Sequence, residues 1–284
     1  MSSPLSSSTH LSAEQLRARV KSLAPLPQAV HDLTTVLRRG DVSSDEIVRI
    51  MNRDAALTMT ALRLANSPFY GASGRVVTLR DAVQVLGLQT LGSAVLTSAV
   101  MASFDRRACP DFDFDACWRH ALATALCAQM LAQPRGLDAT EAYTAGLLHD
   151  IGRLALATHF PQALNAVTVL AAAQDLPISE AEREVLGLDH AQVGALVATH
   201  WRLAPTIVSA IETHHHVVAG PDRPLLDVLH VADNIVHALD LSGEPDDMVP
   251  PLCLGCWERV GAGSAELQTL FARLDARMQA PAAA

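Results

Sequence analysis

Apolar residues recur at spacings of three and four positions along most of the chain, for example in 47–51 and again in 57–65. This spacing gathers the apolar side chains on one face of an α-helix. Alternating apolar and polar positions, which predict β-strands, are scarce, and the segment 75–78 is too short to build a sheet. The pattern therefore predicts an all-α protein with many helices.

Four helix starts are indicated by a serine or threonine that precedes an acidic or amide residue by three positions. In this arrangement the hydroxyl oxygen accepts a hydrogen bond from a free backbone N–H of the first helical turn. The four pairs are Ser12 with Gln15, Ser43 with Glu46, Thr78 with Asp81, and Ser179 with Glu182. We therefore expect a helix to begin beside each of these positions.

Clusters of proline and glycine divide the chain into four parts. Residues 1–22 are expected to form a disordered lead and a first helix, followed by an N-terminal helical half over 23–110. A second helical half is expected over 111–240, and a C-terminal helical extension over 241–284. The last helix carries an apolar stripe made of Leu267, Leu270, Phe271 and Leu274. Such a stripe is typical of a helix that docks onto a core.

Composition excludes several classes of protein. Half of the 284 residues are hydrophobic, yet no apolar run approaches the roughly 18 residues that cross a bilayer. Residues 1–9 carry neither the positive charge nor the apolar segment of a secretory signal, so a cytoplasmic location is expected. The net charge is −9 and the 21 basic residues are dispersed, which argues against nucleic-acid binding.

Five cysteines, an odd number, argue against a framework of disulfides. Cys253 and Cys256 have C-x-x-C spacing, but no second such pair accompanies them. This spacing is compatible with a redox pair or with half of a zinc site. We favour the interpretation that they are two unpaired thiols near the start of a helix.

The pair His149–Asp150 lies inside the apolar run 145–152, where burial is expected. Burying either group costs free energy unless a partner satisfies it. Further histidines and an aspartate lie on other predicted helices, namely His120, His190, His214, His215 and Asp233. Imidazoles and carboxylates that face the centre of a helical bundle suit a divalent transition metal such as iron, manganese, nickel or zinc.

Taken singly, each of these residues could instead be a hydrogen-bonded core residue. Which of the three histidines in 214–216 points inward is left open, because adjacent helical residues differ by about 100° in direction. The remaining histidines are assigned no role in the site: His10, His31, His159, His200, His230 and His237.

A series of motifs resembles the HDOD domain, a bacterial signalling module related to the HD-superfamily phosphohydrolases. In the second half they are Trp118–Ala123, Gly146–Arg153, His190–Ala195, Trp201 and His214–His215. Upstream they are Leu26–Pro27, Arg53–Leu57, Leu62–Ser67 and Val83–Gly87. The resemblance covers about residues 23–240. It implies an all-α HDOD fold in which an N-terminal helical half packs on an HD-like half.

The related HD-GYP phosphodiesterases hold two or three metals with similarly placed histidines and aspartates, and they hydrolyse cyclic-di-GMP. By this resemblance the ligand positions are His120, His149, Asp150, His190, His214, His215 and Asp233. Asp150 would bridge the ions and would be the catalytic residue of an active enzyme. This chain departs from that pattern, because Ala116 stands where those enzymes have a glutamate and 216–221 lacks their Gly-Tyr-Pro signature.

HDOD domains are generally regarded as regulatory or output modules. The resemblance therefore implies first a non-catalytic module that docks onto other signalling proteins, with Arg63 and Tyr70 as candidate contacts and with a vestigial metal site. The alternative is a metal-dependent phosphohydrolase that acts on a nucleotide or a cyclic dinucleotide. Neither a nucleic acid nor a membrane is expected as a partner, and the input would come from another chain or a small ligand.

Overall fold

The computed structural model describes residues 13–23, 25–26, 28–38, 43–66, 76–216, 223–243 and 248–278. Across these ranges the regular structure is helical and contains no strand, so the all-α prediction is confirmed. The helices of the N-terminal half are α1 (Ala13–Lys21), α2 (Gln28–Arg38), α3 (Ser44–Met51), α4 (Ala55–Ala65), α5 (Leu79–Leu86) and α6 (Leu88–Met101). The later helices are α7 (Phe114–Ala132), α8 (Ala139–Leu148), α9 (Ile151–His159), α10 (Pro161–Gln174), α11 (Ile178–Leu186), α12 (His190–His200), α13 (Pro205–Thr213), α14 (Pro224–Ala238), α15 (Leu254–Val260) and α16 (Ser264–Met278).

The predicted helix starts are right at two places. Ser43 accepts a hydrogen bond from the backbone N–H of Glu46 at the start of α3. Thr78 does the same for Asp81 at the start of α5. The pair that begins with Ser12 lies outside the described residues.

The predicted start at Ser179 is wrong. Helix α11 begins at Ile178, directly after Pro177, so Ser179 is the second residue of the helix rather than its cap. The proline ring fixes the backbone conformation at the entrance. Glu182 is therefore not engaged in a capping box and is fully buried, with its carboxylate available for another contact.

A continuous apolar core joins the two predicted halves. One cluster of buried side chains runs from Leu16 in α1 to Leu229 in α14 and includes residues of both halves. Across the predicted boundary, α2 and α6 pack on α8, and α1 packs on α12. The boundary at 110–111 falls in the connection between α6 and α7. The described parts of the two halves therefore form one packed body.

Close approaches at glycines determine how the helices of the second half sit against each other. A Cβ atom on Gly152 of α9 would lie 1.9 Å from the carbonyl oxygen of His190, at the start of α12. A Cβ atom on Gly146 of α8 would lie 2.6 Å from the Cα atom of Ala125 in α7. Non-bonded carbon atoms are separated by about 3.5–4.0 Å at contact. Glycine is therefore needed at both crossings, and these crossings bring several polar side chains together.

The C-terminal extension packs on α7 and α14 through a second apolar cluster. Leu270 and Leu274 of α16 are buried and Leu267 is half-buried, as the predicted stripe requires. Phe271 departs from it, since 36% of its surface is exposed. It lies one position past Leu270, and about 100° of rotation turns it to the edge of the stripe.

No single helix in the described ranges has both the length and the apolar character needed to cross a membrane. A bent pair, Ala139–His159 with Pro161–Gln174, meets the criterion by length and composition, with an angle of 117° at its break.

Candidate metal centre

Side chains from five separate segments meet in the second half. His120 comes from α7, His149 and Asp150 join α8 to α9, and His190 begins α12. The other members are His214 and His215 at the end of α13, and Asp233 within α14. The seven residues predicted as ligands thus converge on one region. Their metal binding remains a prediction.

Asp150 lies at the centre of a group of imidazoles. Its Oδ1 atom is 3.1 Å from Nε2 of His190. The same oxygen is 3.5 Å from Nε2 of both His149 and His214. Three imidazole nitrogens from three helix ends therefore approach one carboxylate oxygen.

Hydrogen bonds on the far side of each ring orient these imidazoles. His149 and His214 each donate Nδ1–H to the backbone carbonyl three residues earlier, at 2.7 Å in both cases. His190 donates Nδ1–H to Oε2 of Glu182 at 2.6 Å. With Nδ1 as the donor, a neutral imidazole presents the lone pair of Nε2. All three rings are thus oriented as metal ligands usually are, with the other nitrogen held by an outer hydrogen bond.

Glu182 is a part of the site that the sequence analysis missed. Its Oε2 atom accepts both the backbone N–H of His190, at 2.7 Å, and the ring Nδ1–H. Its signal in the sequence is an acidic residue eight positions before His190, but its spacing from Ser179 is also that of a capping pair, which predicted a helix cap instead. Its complete burial instead makes it the group that fixes the orientation of His190.

Replacing Glu182 with glutamine is expected to weaken metal retention by about 10–100-fold, the usual range for an outer carboxylate partner of a histidine ligand. The amide keeps the size of the side chain but removes the charge that holds Nδ1–H of His190. Glu184→Gln is the matched control, because Glu184 is exposed on the same helix. Affinity is measured by competition with a chelator, and equal values for the two variants would contradict the positioning role.

A second group surrounds Asp233. Its Oδ1 atom lies 3.0 Å from Nε2 of His120, 3.3 Å from Nε2 of His149 and 3.4 Å from Nε2 of His237. His237 was assigned no role from the sequence, and the structure places it in this group. It lies four residues after Asp233 on α14, and that spacing was the available signal.

The structure shows which of the histidines in 214–216 turn toward the cluster. His215 places its Nε2 atom 2.7 Å from Nε2 of His190, so both His214 and His215 turn toward the cluster. His216 does not, since its side chain is 49% exposed and contacts Asp189 instead.

Of the candidate partner contacts, Arg63 is exposed on α4, and Tyr70 lies outside the described residues.

Opposite charges stabilise each other within the cluster. Burial lowers the pKa of His190, but Glu182 and Asp150 outweigh it and raise the pKa to about 10. At His149 burial also lowers the pKa, but the carboxylates of Asp150 and Asp233 raise it by more. Burial also opposes ionisation of the two aspartates, yet the surrounding imidazoles hold both pKa values well below the usual range. A metal ion would therefore displace protons from His149 and His190 when it binds.

The donor set fits a transition metal. Several deeply buried atoms of the cluster have no hydrogen-bond partner among the described residues, namely His120 Nδ1, Asp150 Oδ1, His214 Nε2 and Asp233 Oδ2. Asp150 Oδ1 is in this group although His190 Nε2 is 3.1 Å away, because the two are not aligned as a hydrogen bond. Ligands held at about 2.0–2.2 Å from a metal lie roughly 3.0–3.5 Å apart. The contacts to Asp150 and Asp233 have this spacing.

Three overlapping sets of ligand atoms lie close enough to bind a cation, with the atoms of each set within 4.8 Å of one another. The sets are Asp150 with His190, His214 and His215; His120 with His149 and Asp150; and His120 with Asp233 and His237. Because Asp150 belongs to two sets, it is placed to contact both positions. Imidazole and carboxylate donors of this kind suit divalent first-row metals.

A comparison with protein-family models finds the HDOD domain over residues 23–217. The chain belongs to the HDOD family. The match ends before α14, so Asp233 and His237 lie beyond the part of the HDOD domain that was matched. The family predicted from the motifs is confirmed.

Two solved structures resemble the HDOD chain over most of its length. An HDOD domain protein of unknown function from Geobacter sulfurreducens is 26% identical, with a TM-score of 0.72, over 93% of this chain and 97% of the other. A Shewanella amazonensis protein described as a candidate phosphohydrolase is 29% identical, with a TM-score of 0.65, over 91% and 97%. An uncharacterized protein of Treponema pallidum is 27% identical over 246 residues, which are 84% of this chain and 46% of that protein. The HDOD chain thus spans about half the length of this relative.

Proposed function

We propose that this protein is a signalling module whose second half is organised by a divalent transition-metal centre and which acts by binding another signalling protein. The observation that supports a regulatory rather than a catalytic centre is the closure of the ligand cluster. Asp150 is 6% exposed, and the other innermost ligands are each 1% exposed, namely His120, His149, His190, His214 and Asp233. Structural metal sites are closed in this way, whereas catalytic sites keep a position open to substrate.

The charges beside the cluster support the same proposal. A phosphate ester is usually bound by cationic side chains that are free to pair with its oxygens. Arg153 lies 3.7 Å from Oδ2 of Asp150, and its guanidinium stacks over the ring of Phe112. Arg183 pairs with the buried carboxylate of Asp189 at 2.7 Å. Both arginines are therefore already engaged with acidic or aromatic groups.

The N-terminal half offers a surface for the partner. Met59 and Arg63 are four residues apart on α4 and both are exposed, with 58% exposure for Met59. Residues at this spacing lie on one face of a helix. Further along the same half, Val77 is 74% exposed. An apolar residue beside a cation suits a protein partner better than a nucleic acid or a membrane, in keeping with the net charge of −9.

The first test is the metal content of the untagged protein after expression in metal-supplemented medium. We expect at least one ion of iron, manganese, nickel or zinc per chain, and a loss of most of it in His149→Ala. His216→Ala is the control, because that imidazole is half exposed and points away from the cluster. A metal content near zero in the unaltered protein would overturn the proposal. Equal metal content in the two variants would exclude His149 as a ligand.

A metal-dependent phosphohydrolase is the second candidate, and the shared position of Asp150 supports it. This carboxylate belongs to two of the ligand sets, as a bridging group between two ions would. The likeness to the Shewanella protein points to the same chemistry. A metal bound there would supply Lewis acidity toward a phosphoryl oxygen. The discriminating measurement is turnover of a model phosphodiester and of cyclic dinucleotides by the metal-loaded protein, since turnover that is lost with His149→Ala would favour the enzyme.

A further inference from the structure

Outside the metal centre, two cysteines lie within one helical turn of each other in the C-terminal extension. Cys253 immediately precedes α15 and Cys256 lies in its first turn. Both are free thiols. Cys256 is completely buried, whereas Cys253 is half-buried and accessible from one side. The pair therefore combines one accessible sulfur with one protected sulfur.

The two thiols differ in their surroundings. Cys253 is the cap residue of α15, where the first backbone N–H groups of the helix have no partner within the helix. Those N–H groups, together with the Cys256 thiol and the charge of Arg259, lower the pKa of Cys253. Burial raises the pKa of Cys256, so the accessible sulfur ionises first. A thiolate on the accessible cysteine is the form that attacks a disulfide.

Neighbouring side chains hold this arrangement in place. Nη2 of Arg259 donates to Sγ of Cys256 at 3.4 Å. Arg259 itself is anchored by two hydrogen bonds of 2.7 Å to the buried carboxylate of Asp227. The backbone N–H of Cys253 donates to Nε2 of His230 at 2.9 Å. Both cysteines are thereby tied to α14 in fixed positions.

A metal is not indicated at this pair. Among the described residues, the groups of three or more side chains that could bind an ion include neither Cys253 nor Cys256. The neighbouring Asp227 is occupied by Arg259, and His230 is occupied by a backbone N–H. The C-x-x-C spacing in the first turn of a helix and the unequal burial of the two sulfurs are instead typical of a dithiol that exchanges with disulfides.

We propose that Cys253 and Cys256 form a reversible thiol–disulfide exchange site for a low-molecular-weight disulfide such as glutathione disulfide. The sulfur of Cys253 attacks one sulfur of glutathione disulfide and forms a mixed disulfide, while the first glutathione leaves as a thiolate and takes up the proton from Cys253. The sulfur of Cys256 then attacks Cys253 and expels the second glutathione, which takes up the proton from Cys256. The protein loses two electrons and two protons, and one glutathione disulfide becomes two glutathione thiols.

The other cysteines provide internal controls. Cys109, Cys117 and Cys127 are 1%, 1% and 0% exposed, respectively. They are scattered along the chain, and burial raises the pKa of Cys127. Their thiols are therefore expected to stay reduced under conditions that oxidise Cys253 and Cys256.

The test uses the full chain, first reduced, then equilibrated in glutathione buffers of increasing oxidised fraction, quenched with an alkylating reagent and analysed by intact-mass and peptide mass spectrometry. We expect two thiols to be lost together, with the disulfide mapped to the peptide that contains Cys253 and Cys256. If Cys253 and Cys256 both remain alkylatable in fully oxidised glutathione, the proposal is overturned. A stable glutathione adduct on Cys253 in the unaltered chain would also overturn it.

Two serine variants separate the roles of the cysteines. Cys256→Ser is expected to stop at a single glutathione adduct on Cys253, because no second sulfur can displace it. Cys253→Ser is expected to slow the loss of thiol at position 256 by at least about tenfold, since a buried, protonated thiol attacks poorly. Cys109→Ser should oxidise like the unaltered chain. Equal oxidation rates for Cys253→Ser and Cys109→Ser would refute the assignment of Cys253 as the attacking sulfur.

Discussion

Asp150→Asn is expected to lose its bound metal almost completely, with a decrease in affinity well beyond the roughly 10–100-fold caused by removing an outer partner. Asp150 contributes to two of the three ligand sets, so a single substitution affects both positions. The amide is nearly the same size as the carboxylate and removes only its charge. The measurement is metal per chain together with chelator competition.

The same substitution is expected to destabilise the metal-free protein. In that state Asp150 helps to hold the raised pKa of His149 and of His190. Removing one partner of a buried ion pair costs about 3–5 kcal/mol, and we expect the lower end of this range because Glu182 still pairs with His190 and Asp233 with His149. The raised pKa of about 10 keeps His190 charged at neutral pH in the unaltered protein, so the loss of the Asp150 charge should appear there. The free energy of unfolding in denaturant, measured after metal removal, gives the value.

Asp45→Asn is the matched control for both measurements. Asp45 pairs with Arg80, and the two side chains are 74% and 65% exposed. Exposed pairs of this kind contribute about 0–1 kcal/mol. A metal content for Asp150→Asn equal to that of Asp45→Asn would show that Asp150 is not a ligand. Unchanged stability of metal-free Asp150→Asn would contradict the charge arrangement described for the cluster.

The sequence was sufficient to predict the helical fold and the main residues that gather in the cluster. A histidine and an aspartate inside an apolar run, as in His149–Asp150, conflict with burial unless a partner is present. That conflict is visible without coordinates. The recurrence of apolar residues every three and four positions likewise predicts helices from the sequence alone. His120 and Asp233, however, are 113 positions apart in the chain. That they lie close together was inferred from the likeness to the family alone.

Glu182 and His237 could not be assigned for two different reasons. Glu182 follows a serine by three positions, so a local rule about capping competed with the tertiary contact and prevailed. Pro177 decided the helix start instead, and the carboxylate turned inward to His190. His237 lies near the end of α14, in which every residue from Leu226 to Val236 is buried. Burial alone therefore does not separate the side chains of α14 that meet the site from those that meet the core, and the four-residue spacing from Asp233 was the signal that remained.

Gly152→Ala is expected to be the most damaging single substitution outside the ligands. The added Cβ atom would lie 1.9 Å from the carbonyl oxygen of His190 and 2.8 Å from the backbone nitrogen of Gly194. Both are backbone atoms of α12, so a side-chain rotation cannot relieve the clash. Overpacking usually costs about 1–3 kcal/mol and sometimes more, and we expect at least about 3 kcal/mol here. This outweighs the gain of about 1 kcal/mol that alanine brings to a helix.

Metal affinity should fall along with stability in Gly152→Ala, because relief of the clash must move α9 away from α12 and so separate Asp150 from His190. Gly263→Ala is the control, since a Cβ atom there meets nothing within 4 Å and the backbone angle is ordinary. Thermal unfolding and chelator competition on both variants give the comparison. If Gly152→Ala unfolds like Gly263→Ala and keeps its metal, the close crossing of α9 and α12 does not set the distance between the ligands. If it is destabilised but keeps its metal affinity, the crossing supports the fold while the ligand cluster is positioned by other contacts.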